Sequence, residues 1–285
     1  MKTVHALYFS ATLTTSTIVK AIAESISNTL SLPMVTEDIT TPSQRAAAGL
    51  LGEQQSDTCA VKPLSFNEND IVIFGVPVYI GRVPNLIKPF LCRIVGGGAV
   101  GIPVVVYGNR NYDDALLELR DLMKAGGFDC GVAAAAFSAE HCFSNVLGAG
   151  RPDAQDLAVA KAFGERICET IAGGKRKELE IPGNVPYRFF SAVDDNGKPF
   201  DIRKAKPVTD SSKCTGCGEC VRMCPMGSID ANNPALVNGI CIKCNACVKR
   251  CPAGAKRFED ERYLEHLGIL ERNYANIRKE PELFF

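Results

Sequence analysis

The chain has 285 residues, 46% hydrophobic and 22% charged, with 32 basic residues balanced by 32 acidic ones and no Trp. This is globular arithmetic that excludes collagenous, coiled-coil and disordered classes and lends nothing to nucleic acid binding. Thirteen cysteines, eight of them between positions 214 and 251, suit metal ligation in a reducing compartment better than a secreted disulfide framework.

The start MKTVHALYFS runs into hydroxyl residues without the apolar stretch of a secretory leader, and runs such as Ile71 to Gly81 are too short for a membrane span. The expected protein is cytoplasmic, with no membrane span. Its charge is uneven: residues 1–172 carry 13 Lys/Arg against 17 Asp/Glu, and residues 173–285 carry 19 against 15. The second excess reads as solvated surface and compensation for an anionic cofactor.

In chain order, apolar strand-like runs alternate with amphipathic helical stretches, the pattern of a parallel sheet with helices on both faces. Five strands are predicted at Val4–Ser10, Met34–Ile39, Ile71–Gly75, Ile102–Tyr107 and Phe128–Phe137. Helices are predicted at Ser16–Leu30, Pro84–Val95, Asp113–Ala125 and Asp153–Ala172, with a weaker one at Pro42–Leu51. The texture then changes to Gly, Pro and charge, which marks a linker over 173–206 draped on the first domain. Residues 1–172 form the first domain, 207–257 a cysteine-rich second domain, and 258–285 a tail whose helical part, Glu259–Lys279, packs back on the body.

The second domain contains an internal repeat, CTGCGECVRMCP at 214–225 and CIKCNACVKRCP at 241–252, offset by 27 residues. Each half reads C-x2-C-x2-C-x3-C-P, the spacing of a chain with two [4Fe–4S] clusters in which the fourth cysteine of each run serves the other cluster. Three thiolates within seven residues wrap one face of a cubane, whereas Cys224, held by Pro225, is directed elsewhere. One cluster then takes Cys214, Cys217, Cys220 and Cys251, and the other Cys241, Cys244, Cys247 and Cys224. Structural zinc uses separated C-x2-C pairs and has no need of a third C-x2 step or of the Cys-Pro endings. The block resembles bacterial two-cluster ferredoxins over residues 207–257, at all eight ligand positions.

After the first strand comes S-A-T-L-T-T-S-T and then a helix, which places hydroxyls and backbone N–H groups where a phosphate dianion binds. The glycines of a Walker loop or a dinucleotide fingerprint are missing, which disfavours ATP and NAD. The loop resembles the flavodoxin phosphate loop, and the resemblance implies Ser10, Thr12, Thr14 and Thr15 as partners of an FMN phosphate. Two further loops leave the carboxyl ends of strands three and four, where an open α/β sheet binds its ligand. They contribute Pro77, Val78, Tyr79, Ile80 and Gly81, and Gly108, Asn109, Arg110, Asn111 and Tyr112. Tyr79 and Tyr112 are expected to sandwich or edge the isoalloxazine, with backbone hydrogen bonds at Gly81, Gly108 and Asn109. His141 follows strand five on the same rim, as a proton donor to the flavin or an orienter of its loop. Cys142 beside it, and Cys59, Cys92, Cys130 and Cys168, read as small hydrophobes.

The whole chain resembles the fused flavodoxin–ferredoxin proteins of anaerobic bacteria and archaea, the EFR family. The resemblance is carried by YFSATLTT, GVPVYIGRVP, YGNRNYDDAL, AEHCFSNVLGAGRPD, the eight cysteines and the closing KEPELFF. Ala11 and Leu13 depart from it where the phosphate loop usually has glycine, and Cys142 stands where Ser usually follows Glu-His. The expected fold is a flavodoxin-like, doubly wound, five-stranded parallel α/β sheet followed by a small α+β two-cluster ferredoxin domain. The expected role is electron transfer between low-potential one-electron carriers and a redox partner, through FMN and two [4Fe–4S] clusters. Ferredoxin-type donors or acceptors are the partners implied, with a homo-oligomer allowed; a flavin-dependent reductase of a small acceptor or NAD(P)H and a redox sensor are the rival readings.

Overall fold

The computed structural model describes residues 2–50, 62–174, 176–191, 193–194, 196–199 and 201–285. Cys59 and the end of the predicted Pro42–Leu51 helix lie outside them. The first part runs β1 (Val4–Tyr8), α1 (Thr14–Leu30), β2 (Met34–Asp38), α2 (Pro42–Ala47), β3 (Ile71–Pro77), α3 (Lys88–Leu91), β4 (Val100–Tyr107), α4 (Ala115–Ala125), β5 (Ala134–Ser138) and α5 (Ala154–Ala172). The second runs β6 (Val208–Thr209), α6 (Glu219–Arg222), α7 (Ala246–Lys249), β7 (Lys256–Arg257), α8 (Glu261–Tyr274) and β8 (Glu282–Phe284).

The strands order as β2-β1-β3-β4-β5-β8, with the first five parallel and β8 antiparallel to β5. The parallel part has the 2-1-3-4-5 order of a flavodoxin-like sheet, whose switch point lies between β1 and β3. β3 and β4 are central and apolar on both faces, as buried parallel strands require. On one face α1 and α5 bury Ile18, Val19, Ile22, Ile26, Phe163 and Ile167. At about 1.5–3 kcal/mol per fully buried side chain, such a face holds α1 in place without a side-chain cap. The other face is covered by α4 together with Ile87 and Leu91, and by Leu179 and Ile181 of the connecting segment.

Capping chemistry sets several helix starts. Asp153 caps α5 in a reciprocal box with Asp156, and Thr41 does the same for α2 with Gln44. The predicted Pro84–Val95 helix shrinks to the four residues of α3, whose second residue, Pro89, has no N–H with which to continue a ladder from the preceding turn. The predicted strand Phe128–Phe137 shortens to β5, with Asp129 making only an isolated bridge to Val100. Among the described residues the five expected parallel strands are joined by a sixth, antiparallel one, since the closing residues leave α8 and add β8 to the β5 edge. The terminal Phe285 packs on Phe163, with Arg166 over its ring. Among the described residues no helix is long and apolar enough to cross a membrane.

Candidate functional site

Three loops and one strand end converge at the carboxyl edge of the sheet on a cleft with about 390 Å³ of atom-free space. It is lined by Ala11, Thr12, Thr14, Thr15, Pro77, Val78, Tyr79, Val106, Tyr107, Gly108, Glu140, His141 and Cys142. The position follows from topology: α1 leaves β1 on one face of the sheet, and neighbouring β3 and β4 end beside its N-terminus. Gly75 makes this approach possible, because a Cβ there would lie 2.2 Å from Val19 Cγ2.

The hydroxyl loop closes on itself. Ser10 Oγ accepts from Ser16 N at 2.9 Å, Ser16 Oγ donates to the Leu13 carbonyl, and Ser10 N donates to Thr40 Oγ1. Leu13 precedes α1 at φ 72°, in the left-handed region that glycine adopts without cost. The N–H groups of Thr14 and Thr15 take no partner among the described residues, so two donors at the positive end of a 17-residue helix face the cleft with three threonine hydroxyls. That donor set fits a phosphate dianion.

Of the residues singled out from sequence, Thr12, Thr14, Thr15, Pro77, Val78, Tyr79, Gly108 and His141 line the cleft, and seven do not. Ser10 is spent on loop closure. Ile80 is exposed, with its carbonyl accepting from Phe190 N; the Gly81 carbonyl accepts from Asp114 N, and a Cβ at Gly81 would strike Asp113. Asn109 is turned away: its Nδ2 donates to the Tyr274 and Ile277 carbonyls, its Oδ1 accepts from Ser138, and its N–H donates to Tyr107 O. Arg110 pairs with Asp113 and lies 3.9 Å from the Phe190 ring centre. Asn111 and Tyr112 line a separate, open cleft with Arg188 and Phe190, where Tyr112 donates to Glu282 at 2.6 Å. The returning C-terminal tail takes Asn109 and Tyr112, a long-range pairing that local sequence does not signal. Ala11, Val106, Tyr107 and Glu140 line the cleft without having been singled out, and Cys142, read as a small hydrophobe, does so too.

His141 is half-buried, and its Nδ1 accepts from Phe143 N at 3.0 Å, which leaves Nε2 as the protonated nitrogen. Burial, then the neighbouring His266, Lys249 and Arg110 charges, hold its pKa down at about 3. It is therefore a neutral loop-orienting imidazole, pressed so close to the chain that a Cβ at Gly108 would lie 2.3 Å from its ring. Burial likewise pushes the Cys142 thiol up to about 12, which leaves it an inert wall rather than a nucleophile.

In the second domain the repeats fold with pseudo-symmetry. Gly216 and Gly218 have positive φ, and so do Lys243 and Asn245, 27 positions on. Cys224 Sγ accepts from Ser228 N and Cys251 Sγ from Ala255 N, both at 3.3 Å and again 27 positions apart. Cys214, Cys217, Cys220 and Cys251 line one cavity of about 340 Å³ of atom-free space, and Cys224, Cys241, Cys244 and Cys247 line another of about 380 Å³. Each cavity thus takes three cysteines of one repeat and the fourth of the other. Among the described residues no three His, Cys, Asp or Glu side chains converge on one ion position, and all cysteines are free. Burial raises the thiol pKa of Cys244 and Cys220, and takes that of Cys247 to about 12. At Cys251 burial also acts upward, but backbone N–H groups, Ala255 first, outweigh it and lower the pKa. Four cysteines lining each apolar cavity are a donor set that suits an iron–sulfur core, whose iron takes the place of the thiol protons.

The two candidate sites share a wall. Ala11 and Tyr79 of the cleft pack with Met223, Cys244 and Ala246 in one apolar cluster. Burial raises the Tyr79 pKa well above its usual value, and Cys244, Cys142 and Cys241 add to the effect, so its phenol stays neutral. Lys249 of α7 crosses to Glu140 and to the Ser144 carbonyl, and Cys142 Sγ lies 3.9 Å from the Lys243 carbonyl.

Residues 207–230 match one model of the 4Fe-4S binding domain and residues 238–254 match a second. No curated protein sequence matches the chain. Among solved structures it is similar to a flavodoxin from the domain Archaea, at 14% identity over 60% of this chain and 99% of that one, with a TM-score of 0.37. A short-chain flavodoxin associated with a non-canonical PDU bacterial microcompartment gives 18% over 60% and 99%, TM-score 0.36, and an apo NADH:FMN oxidoreductase gives 14% over 67% and 95%, TM-score 0.41. The sheet order and the two domain matches together make the chain a flavodoxin-like α/β domain followed by a small ferredoxin-type domain of the kind that binds [4Fe–4S] clusters.

Proposed function

We propose that this chain is an electron-transfer protein of the fused flavodoxin–ferredoxin kind, holding FMN in the cleft and one [4Fe–4S] cluster in each cysteine-lined cavity. The observation that carries the reading is the shared wall, where Ala11 and Tyr79 meet Cys244. When bound, clusters pass single electrons and flavin accepts one or two, which joins one-electron to two-electron chemistry.

The exposure of the cysteines supports an order for the relay. Cys217 is exposed, so the set Cys214, Cys217, Cys220 and Cys251 presents an edge to an outside carrier. Cys244 is buried against the cleft wall, so the second set faces inward, toward Tyr79. Thr12, Thr14 and Thr15 bind the phosphate end, Pro77 to Tyr79 and Gly108 flank the ring, and the neutral His141 holds the 140–143 loop against it. The Ser228 and Ala255 N–H groups donate to the fourth cysteine of each repeat, a contact that favours the more anionic state of a centre.

The test is anaerobic purification with iron, sulfide and flavin analysis, followed by stopped-flow mixing with reduced ferredoxin and, separately, with NADH and NADPH. Eight iron atoms and one FMN per chain, with reduction by ferredoxin and slow reaction with nicotinamides, is the expected result. Flavin bleaching by a nicotinamide at catalytic rates would replace the relay with a reductase. Replacing Thr12, Thr14 and Thr15 together by Ala is expected to lower flavin occupancy and leave iron content intact; unchanged occupancy would remove the phosphate assignment.

A further inference from the structure

Arg45 of α2 is 2% exposed, and no carboxylate pairs with it among the described residues. Its Nη1 donates to the Ile39 and Thr40 carbonyls at 3.1 and 2.7 Å, and its Nη2 donates across the domain boundary to the Pro225 carbonyl at 2.6 Å. The guanidinium sits 4.7 Å from the Phe90 ring centre, and its Nε is buried without a hydrogen-bond partner. A guanidinium withdrawn from water and left without an anion is costly, so a buried arginine of this kind calls for a negative partner. The Pro225 whose carbonyl Arg45 holds directly follows Cys224 and lines the cavity shared by Cys224, Cys241, Cys244 and Cys247, which places the guanidinium beside that cavity.

We infer that Arg45 is the counter-charge of the iron–sulfur centre held by Cys224, Cys241, Cys244 and Cys247, and that it raises the reduction potential of that centre relative to the one at Cys214, Cys217, Cys220 and Cys251. The inference rests on the proposed cluster binding. Four thiolates around an iron–sulfur core carry net negative charge, and reduction adds one more, so a fixed positive charge favours the reduced state more than the oxidised one. The flavodoxin-like domain supplies this charge, because α2 lies between β2 and β3 in the chain and not in the cysteine repeats. Docking of the two domains thereby biases an electron toward the centre that borders the cleft. Arg45 also reaches the hydroxyl loop, since the Thr40 whose carbonyl it holds accepts from Ser10 N. It touches no reacting atom and acts through the centre beside it.

The test uses the full-length protein purified anaerobically as wild type, Arg45→Gln and Arg45→Lys, with iron and sulfide assayed before an EPR-monitored redox titration. In Arg45→Gln one of the two cluster potentials is expected to fall by a roughly tenfold change in the reduction equilibrium, 59 mV for one electron, while the other stays in place. Arg45→Lys, which keeps the charge without the planar fork, is expected to stay near the wild-type potential. Loss of half the iron in Arg45→Gln with full retention in Arg45→Lys would support the same charge requirement. Two unmoved potentials in an iron-replete Arg45→Gln, or equal shifts or equal iron loss in both variants, would overturn the inference in favour of a packing role. Wild-type protein that holds no iron or sulfide would instead remove the cluster reading beneath it.

Discussion

Gly75→Ala should damage the hydroxyl loop from below the sheet. Gly75 pairs with Tyr8 on β1 and Val104 on β4, and its face of β3 carries α1. An alanine methyl there would sit 2.2 Å from Val19 Cγ2 and 3.1 Å from Thr15 Cγ2. Val19 is fully buried and β-branched on a helix, so it has one favoured rotamer and cannot swing aside. The helix must move instead, at the usual overpacking cost of about 1–3 kcal/mol, which lowers the melting temperature by roughly 2–4 °C per kcal/mol in a domain of this size. Because Thr15 lines the cleft, the same displacement should weaken flavin binding roughly tenfold, the loss of about one hydrogen bond to a charged group. Calorimetry or circular dichroism reads the stability, and fluorescence titration of the apoprotein with FMN reads the affinity. Val19→Ala alone should also destabilise, by leaving a cavity, yet the Gly75→Ala/Val19→Ala double variant should be more stable than the sum of the singles by about 1 kcal/mol, because each change makes room for the other. A single variant that melts and binds flavin like the wild type, or a double variant that is merely additive, would refute this account of how α1 is seated.

Two further outcomes are expected. Cys224→Ala should eliminate the centre formed with Cys241, Cys244 and Cys247 and spare the one at Cys214, which iron anomalous scattering reads directly; retention of four sequential ligands around one centre would contradict the exchange. His141, with its pKa held near 3, binds no proton in the folded state where the unfolded chain, near 6.5, does. Its stabilisation is present above pH 6.5 and is lost as pH falls toward 3, by at most about 1.4 kcal/mol per pH unit, and the buried His266 acts in the same direction. Anaerobic urea unfolding at pH 7 and 5.5 should therefore show a loss of about 1 kcal/mol that shrinks in His141→Gln; equal losses in the two proteins would show that other groups dominate.

The two-domain plan and the cysteine sets were legible in the sequence because their signals are local. Strand and helix periodicities report burial within a few residues, and the C-x2-C-x2-C-x3-C-P repeat groups cysteines by short-range reach, so the cysteines that line each cavity could be named before any coordinates. The hydroxyl loop was legible for the same reason, as threonines followed at once by a helix. What the sequence did not disclose depends on pairs far apart in the chain. Asn109 and Tyr112 sit in a loop that looks aimed at the cleft, yet partners more than 160 residues later, at Tyr274, Ile277 and Glu282, claim them. The sixth strand is a three-residue run with too little periodicity to register, formed because the β5 edge offers unpaired backbone groups. Arg45 is the single charged residue of the short helix α2, and nothing near it in the chain signals its burial, which comes from packing that includes the second domain at Pro225. Tertiary packing alone decided which of the two cysteine sets borders the cleft, since the repeats are nearly equivalent in sequence and only their docking against Ala11 and Tyr79 tells them apart.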